Sequence, residues 1–190
     1  MGTEPKRAQL QMLWPQSKLN QPPEVKMTGA YVLRNLRLEE APAYYALMDG
    51  AGFKGWSDNM LIPWLTKLLP RGLFVIEHAP TRALAATAMA TRNPKAEHPE
   101  GFELGWVAGD AAHSGHGLGR AVCAAVTRRF LEEGAKRIYL LTDDWRLPAI
   151  KVYLKLGWAP FLFQPDMEER WKTVCEQLKW PFTPETWPKA

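Results

Sequence analysis

One stretch limits what this chain can become: Trp106-Val-Ala-Gly-Asp-Ala-Ala-His-Ser-Gly-His-Gly-Leu-Gly-Arg120, which joins a strand pattern to a helix pattern through Gly115, Gly117 and Gly119. Closely spaced glycines let the backbone turn so that several amides point into one hollow. The helix that follows adds its unbonded amides and the positive end of its dipole. Such a turn is a site for a phosphate or pyrophosphate, or else a glycine-rich loop with no ligand. Two familiar phosphate motifs do not fit. A Walker loop needs Gly-Lys-Ser/Thr, and the chain has Gly119-Arg120-Ala121. A dinucleotide fingerprint needs G-x-G-x-x-G in a βαβ unit, and here the spacing is G-x-G-x-G after three strand candidates.

The elements around this turn follow from periodicity. Tyr31-Val32-Leu33 begins a strand, and Leu38 to Gly50 and residues 56–69 read as helices, the second kinked or started by Pro63. Gly72 to His78 and Ala83 to Thr91 form a hairpin. Asn93 to Gly101 is a polar loop. From Phe102 to Val107 the pattern predicts a strand with Phe102, Leu104 and Trp106 on one face and Glu103, Gly105 and Val107 on the other. Leu118 to Glu133 is the strongest helix, with Leu118, Val122, Ala125, Val126 and Phe130 on one stripe and Gly134 after it. Arg137 to Thr142 is an apolar strand of the parallel, doubly buried type. Pro148 to Leu156 is a helix and Trp158 to Phe163 a strand. Asp166 and Glu169 form a capping-box pattern for a last helix that buries Met167, Trp171, Val174, Cys175 and Leu178. The predicted organisation is an N-terminal arm over 1–28, packed through Leu13 and Trp14, one mixed α/β domain over 29–163, and a C-terminal helix with a Pro/Trp tail over 164–190 packed on it.

Composition narrows the function classes. With 190 residues, 46% hydrophobic and 23% charged, the chain is an ordinary globular domain and not a disordered one. A net charge of +4 gives no argument for a nucleic-acid partner and suits a small anionic ligand. The sequence contains no apolar run of the roughly 18 residues a membrane helix needs, so no membrane partner is expected. The first residues lack an apolar signal core, which with Cys123 and Cys175 read as reduced core thiols predicts a cytoplasmic protein. His113 and His116 have an H-x-x-H spacing with no carboxylate to complete a metal site, so no metal is expected.

At the glycine turn the chain resembles the GNAT (Gcn5-related) N-acetyltransferases, whose signature is Q/R-x-x-G-x-G/A between a strand and a helix. The matching positions are Ser114, Gly117 and Gly119. Ala149-Ile-Lys-Val-Tyr-Leu-Lys-Leu-Gly-Trp158 is similar to the family's A-x-x-x-Y-x-x-x-G-F segment. The resemblance implies a GNAT-like acyl-CoA N-acyltransferase fold: a central mixed, largely antiparallel sheet with a splayed parallel strand pair, flanked by helices. It implies acetyl-CoA as co-substrate, its pantetheine arm on the backbone of Val107, Ala108 and Gly109. The pyrophosphate would lie on the amides of Gly115, His116, Gly117, Leu118, Gly119 and Arg120, with Arg120 and His116 adding charge. Ser114 stands where the family has Gln or Arg, and Arg146 where many members have Asn, seven residues before Tyr153. Arg146 either touches the coenzyme or turns away.

Transfer from a thioester to an amine requires a deprotonated amine, a donor for the carbonyl oxygen and stabilisation of the leaving thiolate. The resemblance assigns Glu103 as base and Tyr153 as acid. Glu103 is otherwise a solvated strand carboxylate, and Tyr153 otherwise a core tyrosine. A backbone amide near Val107 would serve the oxyanion. Asp143-Asp144-Trp145 either attracts an amine or caps the next helix, with capping favoured. Trp56, Trp106 and Trp145 are candidate pocket walls, with core or rim as the default. Residues 50–65 and 93–101 would build the acceptor pocket, with Trp56, Ser57, Asp58 and Asn59 as contacts. The partner is then a small-molecule or peptide amine, and the protein a monomer or homodimer. Two rival readings remain: a non-catalytic acyl-CoA-binding or regulatory domain, and an interaction module built on the arm and tail.

Overall fold

The computed structural model describes residues 7–190. Its elements are β1 (Leu10–Leu13), β2 (Tyr31–Asn35), α1 (Ala41–Gly50), α2 (Asp58–Leu65), β3 (Leu68–His78), β4 (Leu84–Arg92), β5 (Phe102–Gly109), α3 (Leu118–Glu132), β6 (Ile138–Thr142), α4 (Leu147–Leu156), β7 (Ala159–Phe161) and α5 (Met167–Leu178). Among the described residues the strands form one mixed sheet in the order β2-β3-β4-β5-β6-β1-β7. Its one parallel pair is β5 with β6; the other neighbours run antiparallel. No helix of the described residues is long and apolar enough to cross a membrane.

Strand β4 is buried from Leu84 to Thr91 because both faces of the sheet are covered there. Ala86, Ala88 and Ala90 look toward α3, which answers with Ala121 and Ala124 in the same cluster. Small side chains on both surfaces let the helix lie close to the sheet. Leu84 and Met89 face the other way, into a cluster with Tyr44, Leu47 and Met48 of α1 and Leu61 of α2.

The sheet parts at β5 and β6. Their ladder runs Phe102↔Ile138, Glu103↔Tyr139 and Leu104↔Leu140 and stops there. Residues Gly105 to Gly109 continue beside β4 alone. On that side β5 also carries a bulge: Gly105 faces Met89 and Ala108 faces Thr87, so Trp106 and Val107 stand against Ala88 alone. Trp106 takes a left-handed φ of 53° there. The extra residue inverts the alternation of faces. Phe102 and Leu104 therefore join the cluster under α3, while Trp106 joins the opposite one, which corrects the single face predicted for the three.

The region read as an arm contains a central strand. Leu10–Leu13 is buried throughout and lies antiparallel between β6 and β7. A four-residue strand buried on both faces shows no alternation, so periodicity does not reveal it. Trp14 follows it into the core, edge-on to Trp158 with centroids 5.7 Å apart. At the other end of the chain Trp171 and Trp187 share the main core, and Leu162 forms a parallel bridge with Lys189. The capping box read at Asp166 does not form. Its carboxylate lies 3.5 Å from Arg170 and 3.6 Å from Arg7, with no side-chain bond to the helix amides. The second helix ends at Leu65, short of the predicted 69, because Leu68 already pairs with Thr91.

Candidate active site

The glycine turn folds as its sequence demands. Gly115 and Gly117 have φ of 81° and 73°, and Gly117 is the N-cap of α3. The first bond of the helix runs from Ala121 N–H to the Gly117 carbonyl, so the amides of the first turn remain available to a guest. A side-chain carbon built on Gly115, Gly117 or Gly119 meets nothing within 4 Å, so the space in front of these amides is open. That space is a cavity of about 560 Å³ between α3, α4 and the parted edge of β5. Val107, Ala108, Gly109, Ser114, Gly115, Gly117, Leu118, Gly119 and Arg120 line it, as does His113. Two residues predicted for it are elsewhere. The His116 ring tilts against Tyr31, 5.3 Å centroid to centroid. His113, whose Nδ1 is 3.1 Å from the Tyr31 hydroxyl, faces the cavity in its place. Arg146 lies on the far side of Tyr153.

There a second cavity, of about 260 Å³, opens beneath the bulge. Gln9, Phe53, Trp64, Lys95, Glu103, Gly105, Trp106, Thr142, Asp143 and Arg146 are among its walls. Val107, Ala149 and Tyr153 line both cavities. The Tyr153 side chain is buried, and burial chiefly, helped by Cys123, pushes its phenol well above the ordinary range while Arg146 pulls slightly downward.

Glu103 is not the solvated carboxylate of the plain reading; it is 6% exposed. Its Oε2 accepts from Asn93 Nδ2 and, at 3.1 Å, from the Tyr139 hydroxyl. The single Tyr139 proton is shared with the Asn93 carbonyl, 2.5 Å away, and burial with the nearby Glu103 charge drives the phenol upward. Both bonds to Glu103 fall on one oxygen. The other, Oε1, faces Gly105, where an added side-chain carbon would stand 3.9 Å away.

Asp143 and Asp144 do not cap α4, which corrects that reading. Asp143 accepts from Gln9 Nε2 and from Arg146 Nε, each at 3.0 Å. Asp144 binds Arg170, a guanidinium only 4% exposed, through two nitrogens at 3.0 and 2.6 Å, and this charge holds its carboxyl below the usual range. Trp145 is 72% exposed, and Trp56 is buried behind Trp106 at 4.7 Å, so of the three tryptophans only Trp106 is a wall. Asp58 accepts from Tyr45 instead of facing the cavity. Gln9 and Thr142 are walls that sequence reasoning missed. Phe53, Trp64 and Lys95 do fall in the loops expected to build an acceptor pocket. Among the described residues no group of three or more His, Cys, Asp or Glu side chains gathers to hold a metal.

A mixed sheet parted at its one parallel pair, with a glycine-turn cavity on one side of a buried tyrosine and an aromatic one on the other, defines an α/β domain in which two cavities share a wall. The model of the acetyltransferase (GNAT) family matches residues 32–158, and the chain belongs to that family. Solved structures share the fold. The GCN5-related N-acetyltransferase from Sphaerobacter thermophilus is 17% identical with a TM-score of 0.61, over 81% of this chain and 49% of that one. The ribosomal-protein-S18-alanine N-acetyltransferase from Escherichia coli is 20% identical with a TM-score of 0.53, over 67% and 76%. The diaminobutyrate acetyltransferase EctA from Paenibacillus lautus, in complex with L-2,4-diaminobutyric acid and coenzyme A, is 15% identical with a TM-score of 0.55, over 68% and 75%. The chain spans about half the length of the Sphaerobacter protein. No curated protein matches its sequence.

Proposed function

We propose that the protein is an N-acetyltransferase that moves an acetyl group from acetyl-CoA to a primary amine by direct attack, without an acyl-enzyme. The observation that carries this reading is the shared wall: Val107, Ala149 and Tyr153 border both compartments, so molecules seated in each meet there. The open amide cradle at Gly115, Gly117 and Gly119 suits the diphosphate of coenzyme A. The parted edge of β5 at Val107, Ala108 and Gly109 offers backbone groups to a pantetheine arm, and Ser114 and Arg120 flank it. A relative by fold, EctA, holds coenzyme A.

The acetyl thioester supplies the electrophilic carbonyl. The amine nitrogen forms the new C–N bond as the C–S bond breaks. Glu103, with Oε2 tied by Asn93 and Tyr139, keeps Oε1 to take the amine's proton, directly or through water. The bulge turns the backbone at Trp106 and Val107 off the ladder, where an amide can donate to the carbonyl oxygen as it becomes negative. Tyr153 faces the leaving sulfur as a neutral phenol. Ordinary pKa values of about 10 for a phenol and about 8.5 for a thiol make full proton transfer uphill by roughly 2 kcal/mol. Burial raises that further, so Tyr153 acts first as a hydrogen-bond donor to the thiolate. Val107, Ala108 and Tyr153 also keep water from the thioester.

Two measurements test the proposal. Release of free thiol from acetyl-CoA with a panel of amines, peptides and polyamines reports turnover, and calorimetry with coenzyme A reports the cradle. Glu103→Gln should move the rate profile toward higher pH, because the amine must then lose its proton to solvent before it attacks. A profile unchanged by the substitution removes Glu103 from the chemistry.

A further inference from the structure

The acceptor compartment carries a balanced set of charges, as a zwitterionic guest requires. Its walls hold two acids, Glu103 and Asp143, and two bases, Lys95 and Arg146. Asp143 spends one oxygen on Gln9 and the other on Arg146 Nε. Asp143 thus balances Arg146 on its Nε side, and Glu103 Oε1, the ammonium of Lys95 and the two terminal nitrogens of Arg146 are left for a guest. Neither Lys95 nor those two nitrogens has an ion-pair partner among the described residues.

Arg146 is also flanked by aromatic rings. Its guanidinium carbon lies 4.5 Å from the ring centroid of Phe53 and 4.5 Å from that of Trp145. Stacking between aromatic faces fixes the plane of a guanidinium and aims its forked donors, the geometry that matches a carboxylate. Thr142, at the end of β6 in the same wall, has a buried hydroxyl with no hydrogen-bond partner.

We infer that the acceptor is a small free amino acid, an amine that carries its own carboxylate, and that Arg146 with Lys95 binds that carboxylate while Glu103 faces the amine. This deepens the acyl-transfer reading and rests on it. A simple amine or polyamine would leave the Lys95 ammonium and the two terminal nitrogens of Arg146 without a partner. A peptide N-terminus brings a neutral amide where those cations stand. The size agrees: sites for drug-sized ligands run from about 300 to 1,000 Å³, and this one holds about 260 Å³. Phe53, Trp64 and Trp106 supply apolar faces for the body of the guest. The product is the N-acetyl amino acid, which has lost the positive charge that Glu103 attracts and so has reason to leave.

The test uses the full chain, acetyl-CoA and the twenty standard amino acids, each paired with its own carboxamide, with thiol release as readout and coenzyme A binding by calorimetry alongside. At least one amino acid should exceed its carboxamide in kcat/KM by about tenfold or more, the worth of one charge-assisted hydrogen bond. Arg146→Gln and, separately, Lys95→Met should cut that ratio through KM for the amino acid, with the Kd for coenzyme A unchanged. Equal use of acid and carboxamide overturns the inference. So does turnover of a peptide or polyamine with no amino acid accepted, or a loss of coenzyme affinity in Arg146→Gln, which would return that residue to the coenzyme. If the protein binds coenzyme A yet acetylates no amino acid, the acceptor assignment falls alone. If it does not bind coenzyme A, the acyl-transfer reading falls with it.

Discussion

Arg137 Nε and His98 Nδ1 stand 3.0 Å apart, and only one distribution of protons satisfies both. A guanidinium nitrogen always donates, so Nδ1 accepts and the imidazole proton sits on Nε2, which donates to Gln11 Oε1 at 2.7 Å. The ring has no solvent exposure and stacks on Tyr139 at 4.1 Å. Burial first, then the Arg137 charge, lowers its pKa to about 4.

Acid should therefore weaken the fold before the carboxylates titrate. In the unfolded chain His98 takes up a proton near pH 6.5, whereas in the folded protein it does so only near 4. The unfolded form gains ground steadily as pH falls between those values, by an amount on the order of 3 kcal/mol. Urea midpoints at pH 7, 5.5 and 4.5 measure this loss. His98→Gln should flatten the slope over that window, and an unaltered slope would place the proton uptake elsewhere.

Tyr153→Phe removes a hydroxyl and little volume. We expect kcat to fall by about 10²-fold or more while calorimetry finds coenzyme A bound as before. Parallel losses in rate and affinity would make Tyr153 a wall and nothing else.

Gly119 is the cleanest probe of the amide cradle. Unlike Gly117, it does not have a left-handed φ, and a side chain there meets open space. Gly119→Phe should fill the cavity and abolish coenzyme binding with the thermal midpoint nearly unchanged. Gly117→Ala should instead lower stability by about 1 kcal/mol, because an L-residue resists that backbone. Retained binding in Gly119→Phe would relocate the diphosphate.

Met12 separates a strand from an arm. Its side chain is wholly buried between β6 and β7. Met12→Ala should cost about 2–5 kcal/mol in denaturant unfolding; a loss below about 0.5 kcal/mol, the surface value, would mean that β1 is a loosely attached edge.

The glycine turn and the cavity beside it were legible because their signals are local. Gly115, Gly117 and Gly119 signal their backbone through residue type, and Tyr153 lies a fixed number of helical turns into α4. The second cavity was legible by segment, through 50–65 and 93–101, but not by residue. Gln9, Phe53, Trp64 and Lys95 come from separate segments and converge only when the sheet forms. Trp106 escaped its predicted face because a bulge depends on what β4 does opposite it, and no pattern within β5 records that. Asp144 looked like a cap because its partner, Arg170, lies on another helix. Arg146 was matched by position to the coenzyme, but the aromatic rings that hold it, Phe53 above all, could not be seen from its own stretch of chain.

The seat of β1 also dictates a timetable. Both partners of Leu10–Leu13, Ile138–Thr142 and Ala159–Phe161, are translated well after it. Pairings so remote in sequence are slow to form. The nascent chain must therefore carry this greasy quartet unpaired while the strands between are made, exposed to chaperones or to wrong partners, and the sheet closes only when β7 arrives to clasp β1.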